Sequence, residues 1–287
     1  MRLMVGTTQG VPGARVFLID DRGAADLSAA DARIGADLMQ IARDPGLAAT
    51  AAQAAGTARI DPALITPALP IEAPGKVVCL GLNYAEHARE GGFEVPDYPA
   101  LFMRARSSLI AAEAALIRPR ASETLDYEAE LMVIIGKPAR HVTQADALDH
   151  VFGYTVFNDG SVRAYQHKTH QWTAGKNFDA TGAVGPIVVT PDEIAPGATG
   201  LRIQSRLNGQ IMQDSNTSDM IFPVARTIAI LSEVMTLESG DMIAMGTPPG
   251  VGHARKPPVW MRPGDVVEAE IEGIGLCRNP VVAEADT

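Results

Sequence analysis

Hydrophobic and polar positions first organise at residues 15–20 (RVFLID), which read as a strand running into a turn at Asp21-Arg22-Gly23. Residues 27–55 are rich in Ala and suit one or two helices. Four prolines then fall within residues 62–74 (Pro62, Pro67, Pro70 and Pro74), the mark of a linker. Residues 1–70 are therefore expected to form a small N-terminal α/β domain with a packing or oligomerisation role. Beyond it the pattern is dominated by strands. Short apolar runs occupy 77–80, 130–135 (closed by Gly136), 153–157 and 185–189. An alternating run at 201–207 meets Asn208-Gly209, a strong hairpin signal. The clearest helix is 222–235, with Ala225, Ile228, Ala229 and Leu231 at helical spacing. Two further strands are expected at 241–245 and, after Pro263-Gly264-Asp265, at 266–274. There is no internal repeat and no regular βα alternation. The pattern is that of an α+β protein with a larger domain over 71–287.

Composition narrows the function classes. A chain of 287 residues with 46% apolar side chains can bury a sizeable core, and 27 Gly with 20 Pro fit many turns. The net charge of −10, with no basic run, argues against nucleic acid as a partner. Cys79 and Cys277 lie too far apart in sequence for a disulfide framework or a zinc spacing and read as free thiols. No apolar leader is evident, nor any run of roughly 18 apolar residues, so the expectation is a cytoplasmic chain that engages no membrane. An acidic protein that takes an acidic substrate needs a locally positive site, and the candidate chemistry must supply one.

Five segments carry that chemistry. In Asp126-Tyr127-Glu128-Ala129-Glu130, alternate residues of an incipient strand place three carboxylates on one face. A hard dication between them would relieve their repulsion, although a solvated acidic edge shows the same spacing. Asp159 follows an apolar strand and offers a third oxygen ligand, or else a helix cap. Arg163 and Gln166, three apart, share a helical face, and Arg is the natural fork for a carboxylate. His87 and Glu90 would meet on a short helix, where a carboxylate orients an imidazole as a general base; a chance surface pair looks alike. Lys176, amid Gly and aromatic residues, suits a developing enolate or a carboxylate, although a surface-loop lysine is the commoner occupant of such a segment. Thr247 sits in a rigid Gly-Thr-Pro-Pro-Gly-Val-Gly turn that is not a phosphate loop.

Taken in order, Gly-Leu-Asn-Tyr-x-x-His (81–87), Asp-Tyr-Glu-x-Glu-Leu (126–131), Asn-Asp-x-Ser-x-Arg (158–163), Gly-Lys-x-Phe-Asp (175–179) and Gly-Thr-Pro-Pro-Gly-Val-Gly (246–252) closely resemble the signature series of the fumarylacetoacetate hydrolase family. The match is to its smaller bacterial members, the acylpyruvate hydrolases and 2-hydroxyhepta-2,4-diene-1,7-dioate isomerases, and spans about residues 76–274. The resemblance implies a mixed β-sandwich roll in a homodimer, with Mg²⁺ or Mn²⁺ on Glu128, Glu130 and Asp159 and with Asp126 beside them. It makes His87 the general base with Glu90 as its partner, and Lys176 the stabiliser of an enolate. It places Arg163, Gln166, Thr247 and Tyr84 against the substrate, a small 2-keto acid. The reaction implied is carbon–carbon hydrolysis of an acylpyruvate or a related 2,4-diketo acid. Tautomerisation or decarboxylation of a 2-keto acid, of the diene-dioate or oxaloacetate type, is the alternative. Some members carry Arg directly before Asn-Tyr to grip a substrate carboxylate. Leu82 stands there in this chain, which argues against oxaloacetate-type specificity, and Arg104 or Arg106 is a candidate replacement. The segment 161–172, with His167 and His170, is a candidate lid.

Overall fold

The computed structural model describes residues 1–54 and 58–285. Ala55, the end of the expected helical stretch, and residues 286–287 of the expected second domain lie outside the described residues. The strand that organises the fold is Ala129–Ile135, and all 7 of its residues are buried. It reads as a continuous apolar run because both of its faces are covered. Leu131, Val133 and Ile135 point into one core, and Met132 and Ile134 into another.

This strand lies inside a 12-stranded sheet. Val151–Asp159 pairs antiparallel on one side and Met242–Ala244 antiparallel on the other. Val77–Gly81 then runs parallel to Met242–Ala244, and Ala100–Met103 follows it. Beyond Val151–Asp159 come Ile187–Val189, Arg2–Thr8, Val11–Asp20 and Gly23–Asp26. The hydrogen-bonded ladder thus runs from the first residues of the chain into the later strands without a gap. A second sheet of 5 strands orders Gln210–Asn216, Arg202–Leu207, Val266–Ile271, Gly275–Ala283 and Leu116–Arg118. Val133 and Val156 of the large sheet meet Ile203, Val267 and Ile271 of the small one, and Ile228 and Leu231 of helix Val224–Val234 close the same core. Two sheets packed through their apolar faces, with helices at the periphery, make the α+β sandwich that the sequence indicates.

The opposite face of the large sheet is covered by residues 27–54. Leu27, Leu38 and Met39 pack there with Met132, Ile134 and Phe157. Where one or two helices were expected, this region forms three short ones, Leu27–Ala30, Met39–Arg43 and Pro45–Gln53. The last break is local chemistry. Asp44 takes an extended backbone, its carboxylate accepts the Gly46 amide at 2.7 Å, and Pro45 opens a new helix. The proline-rich stretch is less of a linker than its composition suggests. Ile65–Pro67 pairs with Arg2–Thr8, Pro67 lying opposite Gly6. Asn208 and Gly209 both take positive φ, as a two-residue hairpin turn requires. The strand expected over 266–274 stops at Ile271, and the chain returns as Gly275–Ala283. Among the described residues no helix is long and apolar enough to cross a membrane. Both cysteines are free and buried.

One buried amide joins three elements near the sheet's end. After Val77–Gly81, Leu82 turns the chain through positive φ. The Asn83 side chain then donates to the carbonyls of Met245 (2.7 Å) and Phe222 (3.1 Å) and accepts the Phe222 amide (2.7 Å). Truncating it would strand the Met245 carbonyl and the Phe222 amide, at about 1 kcal/mol or more each, while the Phe222 carbonyl keeps the Thr227 hydroxyl at 3.1 Å. Asn83→Ala is therefore expected to lose about 2 kcal/mol, read in urea as a lower unfolding midpoint at unchanged slope.

Candidate active site and metal centre

Strand register assembles the carboxylates. Ala129 lies opposite Asn158, and the Asp159 amide donates to the Glu128 carbonyl at 2.9 Å, so Glu128 and Asp159 face each other across the ladder. Glu130, two residues on from Glu128, projects to the same side. Ligand oxygens of Glu128, Glu130 and Asp159 all lie within 4.8 Å of one another, and all three residues are buried. The sequence could not separate this from a solvated acidic edge; the burial does.

Burying so many carboxylates demands cations. Lys176, at the end of helix Thr173–Lys176, donates to Glu128 Oε2 and to Asp159 Oδ2, each at 2.6 Å. Arg104 pairs with Asp159 Oδ1 and also donates to Ser108 Oγ, Thr181 Oγ1 and the Gly160 carbonyl. Arg163 donates from Nε to Asp126 (2.8 Å) and from Nη1 to Gln166 (2.8 Å). Its Nη2 lies 2.6 Å from Glu128 Oε1, a buried ion pair. Burial pushes the Glu128 carboxyl up, but Lys176 and Arg163 outweigh it and hold it down at about 2. Burial opposes the charge on Lys176, yet Asp159 and Glu128 hold its ammonium above the usual lysine value.

Glu130 is the exception. It makes no ion pair among the described residues, and Oε2 accepts only the Gly246 amide at 3.0 Å. Burial, then the neighbouring Asp159 and Glu128, raise its carboxyl well above the usual range. Three converging hard oxygens, one of them without a cation, fit a dication such as Mg²⁺ or Mn²⁺.

Glu128 and Glu130, with Asp159 next to them, form the floor of a cavity of about 550 Å³, a size suited to a small metabolite; Glu128 and Glu130 are the two that line it. His87, in helix Ala85–Glu90, lines it, with Nδ1 3.4 Å from Glu90 Oε2. Glu90 also accepts the Gly250 amide at 3.0 Å, which ties that helix to the Gly-Pro turn. Arg163, Gln166, Lys176 and Thr247 line the same space. The Thr247 hydroxyl is engaged with the frame: it donates to the Ala129 carbonyl (2.9 Å) and accepts from Gln213 (2.8 Å). Every expected site residue but one is thus brought to the cavity or its floor. Tyr84 is not. It stands at the N-cap of helix Ala85–Glu90, and its ring turns into the core, 1% exposed, its hydroxyl without a hydrogen-bond partner among the described residues.

Neither arginine offered as a stand-in at Leu82 serves as one. Arg104 is consumed by Asp159 beneath the floor, and Arg106 pairs with Glu72 at the surface. The segment 161–172 supplies wall. Ser161–Val162 pairs with Leu125–Asp126, and Trp172 lies so close over Gly81 that a Cβ there would meet its ring at 2.0 Å. Sequence reasoning passed over His253, whose ring lies 5.2 Å from that of His167 at the cavity mouth. Its place directly after the Gly-Val-Gly turn was the available signal. Gln213, which pins Thr247, gave none.

Residues 76–282 match the family model for the C-terminal part of fumarylacetoacetate (FAA) hydrolase. The mitochondrial oxaloacetate tautomerase Fahd2a of Rattus norvegicus is 38% identical over 282 residues, 97% of this chain and 87% of that protein. Maleylpyruvate hydrolase of Sphingobium sp. SYK-6, solved with manganese(II) and pyruvate, superposes with a TM-score of 0.82 at 30% identity, over 99% of this chain and 100% of that one. The 2-hydroxyhepta-2,4-diene-1,7-dioate isomerase of Mycobacterium marinum gives 0.76 at 28% identity, over the whole of both chains.

Glu130 separates stability from metal binding. A carboxyl whose folded value is raised destabilises the fold above that value, and the cost is relieved as pH falls through it. Chelator-stripped protein should therefore gain stability as pH drops from the raised value toward the ordinary carboxylate range. Glu130→Gln should abolish that slope, raise the melting temperature of the metal-free protein, and eliminate the rise caused by Mn²⁺. Differential scanning calorimetry with and without Mn²⁺ reads all three.

Proposed function

This chain belongs to the fumarylacetoacetate hydrolase family, and we propose that it is a divalent-cation-dependent enzyme that cleaves the carbon–carbon bond of an acylpyruvate or related 2,4-diketo acid. The observation that carries the reading is a paired His87–Glu90 facing three converging carboxylates and a buried lysine across one cavity.

A Mg²⁺ or Mn²⁺ ion on Glu128, Glu130 and Asp159 would supply a Lewis acid for a 2-keto acid's carboxylate and keto oxygen. Arg163 lines the cavity and has more N–H groups than its protein partners use, so it receives the substrate carboxylate, with Gln166 fixing the guanidinium plane. The Glu90 carboxylate accepts a hydrogen bond from Nδ1–H of His87, which leaves Nε2 free to take a proton from water. The hydroxide so formed adds to the distal carbonyl. The bond to the methylene then breaks, and its electron pair passes into a pyruvate enolate. Lys176 gives two of its three N–H bonds to Glu128 and Asp159 and turns the third toward the developing charge. The proton held on His87 returns to the enolate carbon, and the base is regenerated.

A second reading is favoured by the rat relative, which matches almost the whole chain and is named an oxaloacetate tautomerase. The same residues serve it without an attacking water: His87 moves a proton between carbon and enol oxygen, and Lys176 steadies the enolate.

Acetylpyruvate and enol-oxaloacetate, each supplied with and without Mn²⁺ to chelator-stripped protein, separate the two. Metal-dependent loss of diketo absorbance with equimolar pyruvate is the expected outcome, and His87→Asn should lower that kcat by about 100-fold. Turnover of enol-oxaloacetate alone would transfer the assignment to the tautomerase reading.

A further inference from the structure

Asp126 is fully buried and takes no part in the metal-competent cluster. Both of its oxygens are saturated. Oδ1 accepts the amides of Tyr127 (2.9 Å) and Gly252 (2.8 Å), and Oδ2 accepts the His253 amide (2.9 Å) and Arg163 Nε (2.8 Å). A carboxylate with four donors has little capacity left for a cation or a substrate, so it acts on what it holds. What it holds is two walls of the cavity. One is the guanidinium of Arg163; the other is the turn that closes Gly-Val-Gly and carries His253 to the mouth. The last glycine of that motif gains a physical reason here. A Cβ on Gly252 would meet Asp126 Oδ1 at 2.6 Å and the Val259 carbonyl at 1.9 Å.

The guanidinium has two competing carboxylates, Asp126 on Nε and Glu128 beside Nη2. With Asp126 on Nε and Gln166 on Nη1, the plane is fixed where the guanidinium lines the cavity, and Nη2 has a second N–H besides the one that faces Glu128. Without it, Arg163 is free to turn fully onto Glu128 and out of the cavity.

We propose that Asp126 is a positioning residue for the 2-keto acid site: it clamps Arg163 against the Gly252–His253 turn, so that the guanidinium stays aimed at the substrate carboxylate. This rests on the reading that Arg163 receives that carboxylate. A role confined to stability would lower the melting temperature and leave the affinity of the folded fraction unchanged. A positioning role appears in KM and disappears when Arg163 is already gone.

The test compares the unmodified protein, Asp126→Asn, Arg163→Gln and the double variant, all loaded with Mn²⁺. Pyruvate binding is followed by calorimetry and acetylpyruvate turnover by absorbance. Asp126→Asn is expected to raise the pyruvate Kd and the KM by about tenfold or more, the scale of a misdirected charged hydrogen bond, with a smaller change in kcat. In the Arg163→Gln background the same change should add nothing. Asp126→Glu, which keeps the charge but shifts the oxygens, should weaken pyruvate binding in the same direction and serves if the amide variant does not fold. Unchanged pyruvate affinity in Asp126→Asn, or losses that simply add in the double variant, overturns the positioning role alone. Failure of the unmodified Mn²⁺-loaded protein to bind pyruvate removes the 2-keto acid reading, and the positioning role with it.

Discussion

Four carboxylates, Asp126, Glu128, Glu130 and Asp159, are held almost out of water where the strands Leu125–Asp126, Ala129–Ile135 and Val151–Asp159 come together. An isolated buried carboxylate costs several kcal/mol, so the surrounding structure has to answer for each of them. Arg104, Arg163 and Lys176 are the answer for three, and each cation comes from a different segment of the chain. The helices Arg163–Gln166 and Thr173–Lys176 are short and carry almost no hydrophobic face of their own. They are held in place by where their basic side chains must reach.

The requirement extends into the sheet. Glu128 and Asp159 converge only at the observed pairing of Ala129–Ile135 with Val151–Asp159. A slip of one residue would turn Glu130 toward Leu131's core and Met132 away from its own. Apolar packing on both faces of the central strand therefore fixes the register, and the register fixes the ligand geometry. Such a site can be rigid without a disulfide, and its chemistry then depends on groups already aimed before a ligand arrives.

Much of this was legible in the sequence because its causes are local. Strand and turn positions follow alternation and glycine chemistry, as at Asn208-Gly209, and the motif residues Glu128, Glu130, Asp159, Lys176 and His87 do meet. What escaped was set at a distance. Arg104 lies 55 residues from the carboxylate it neutralises, and nothing in its own neighbourhood announces the pairing. Tyr84 belongs to the motif by spacing, yet its ring serves the core, because the turn at Leu82 rotates it inward. The proline-rich segment 62–74 lends Ile65–Pro67 to the sheet, since an edge strand tolerates proline when its partner supplies the donors.

The pairing order of the large sheet also bears on how the protein comes into being. The strand that carries Glu130 is flanked by residues 151–159 and 242–244, and the latter by 77–81. Its ladder is finished only by a partner more than 100 residues further along the chain, Met132 lying opposite Ala244, and contacts of that sequence separation make folding slow. On a ribosome, the acidic strand emerges well before the residues around Met242 and before Lys176. For that interval its carboxylates remain hydrated and its apolar side chains uncovered, the state in which a nascent chain is most prone to associate with others or to recruit a chaperone.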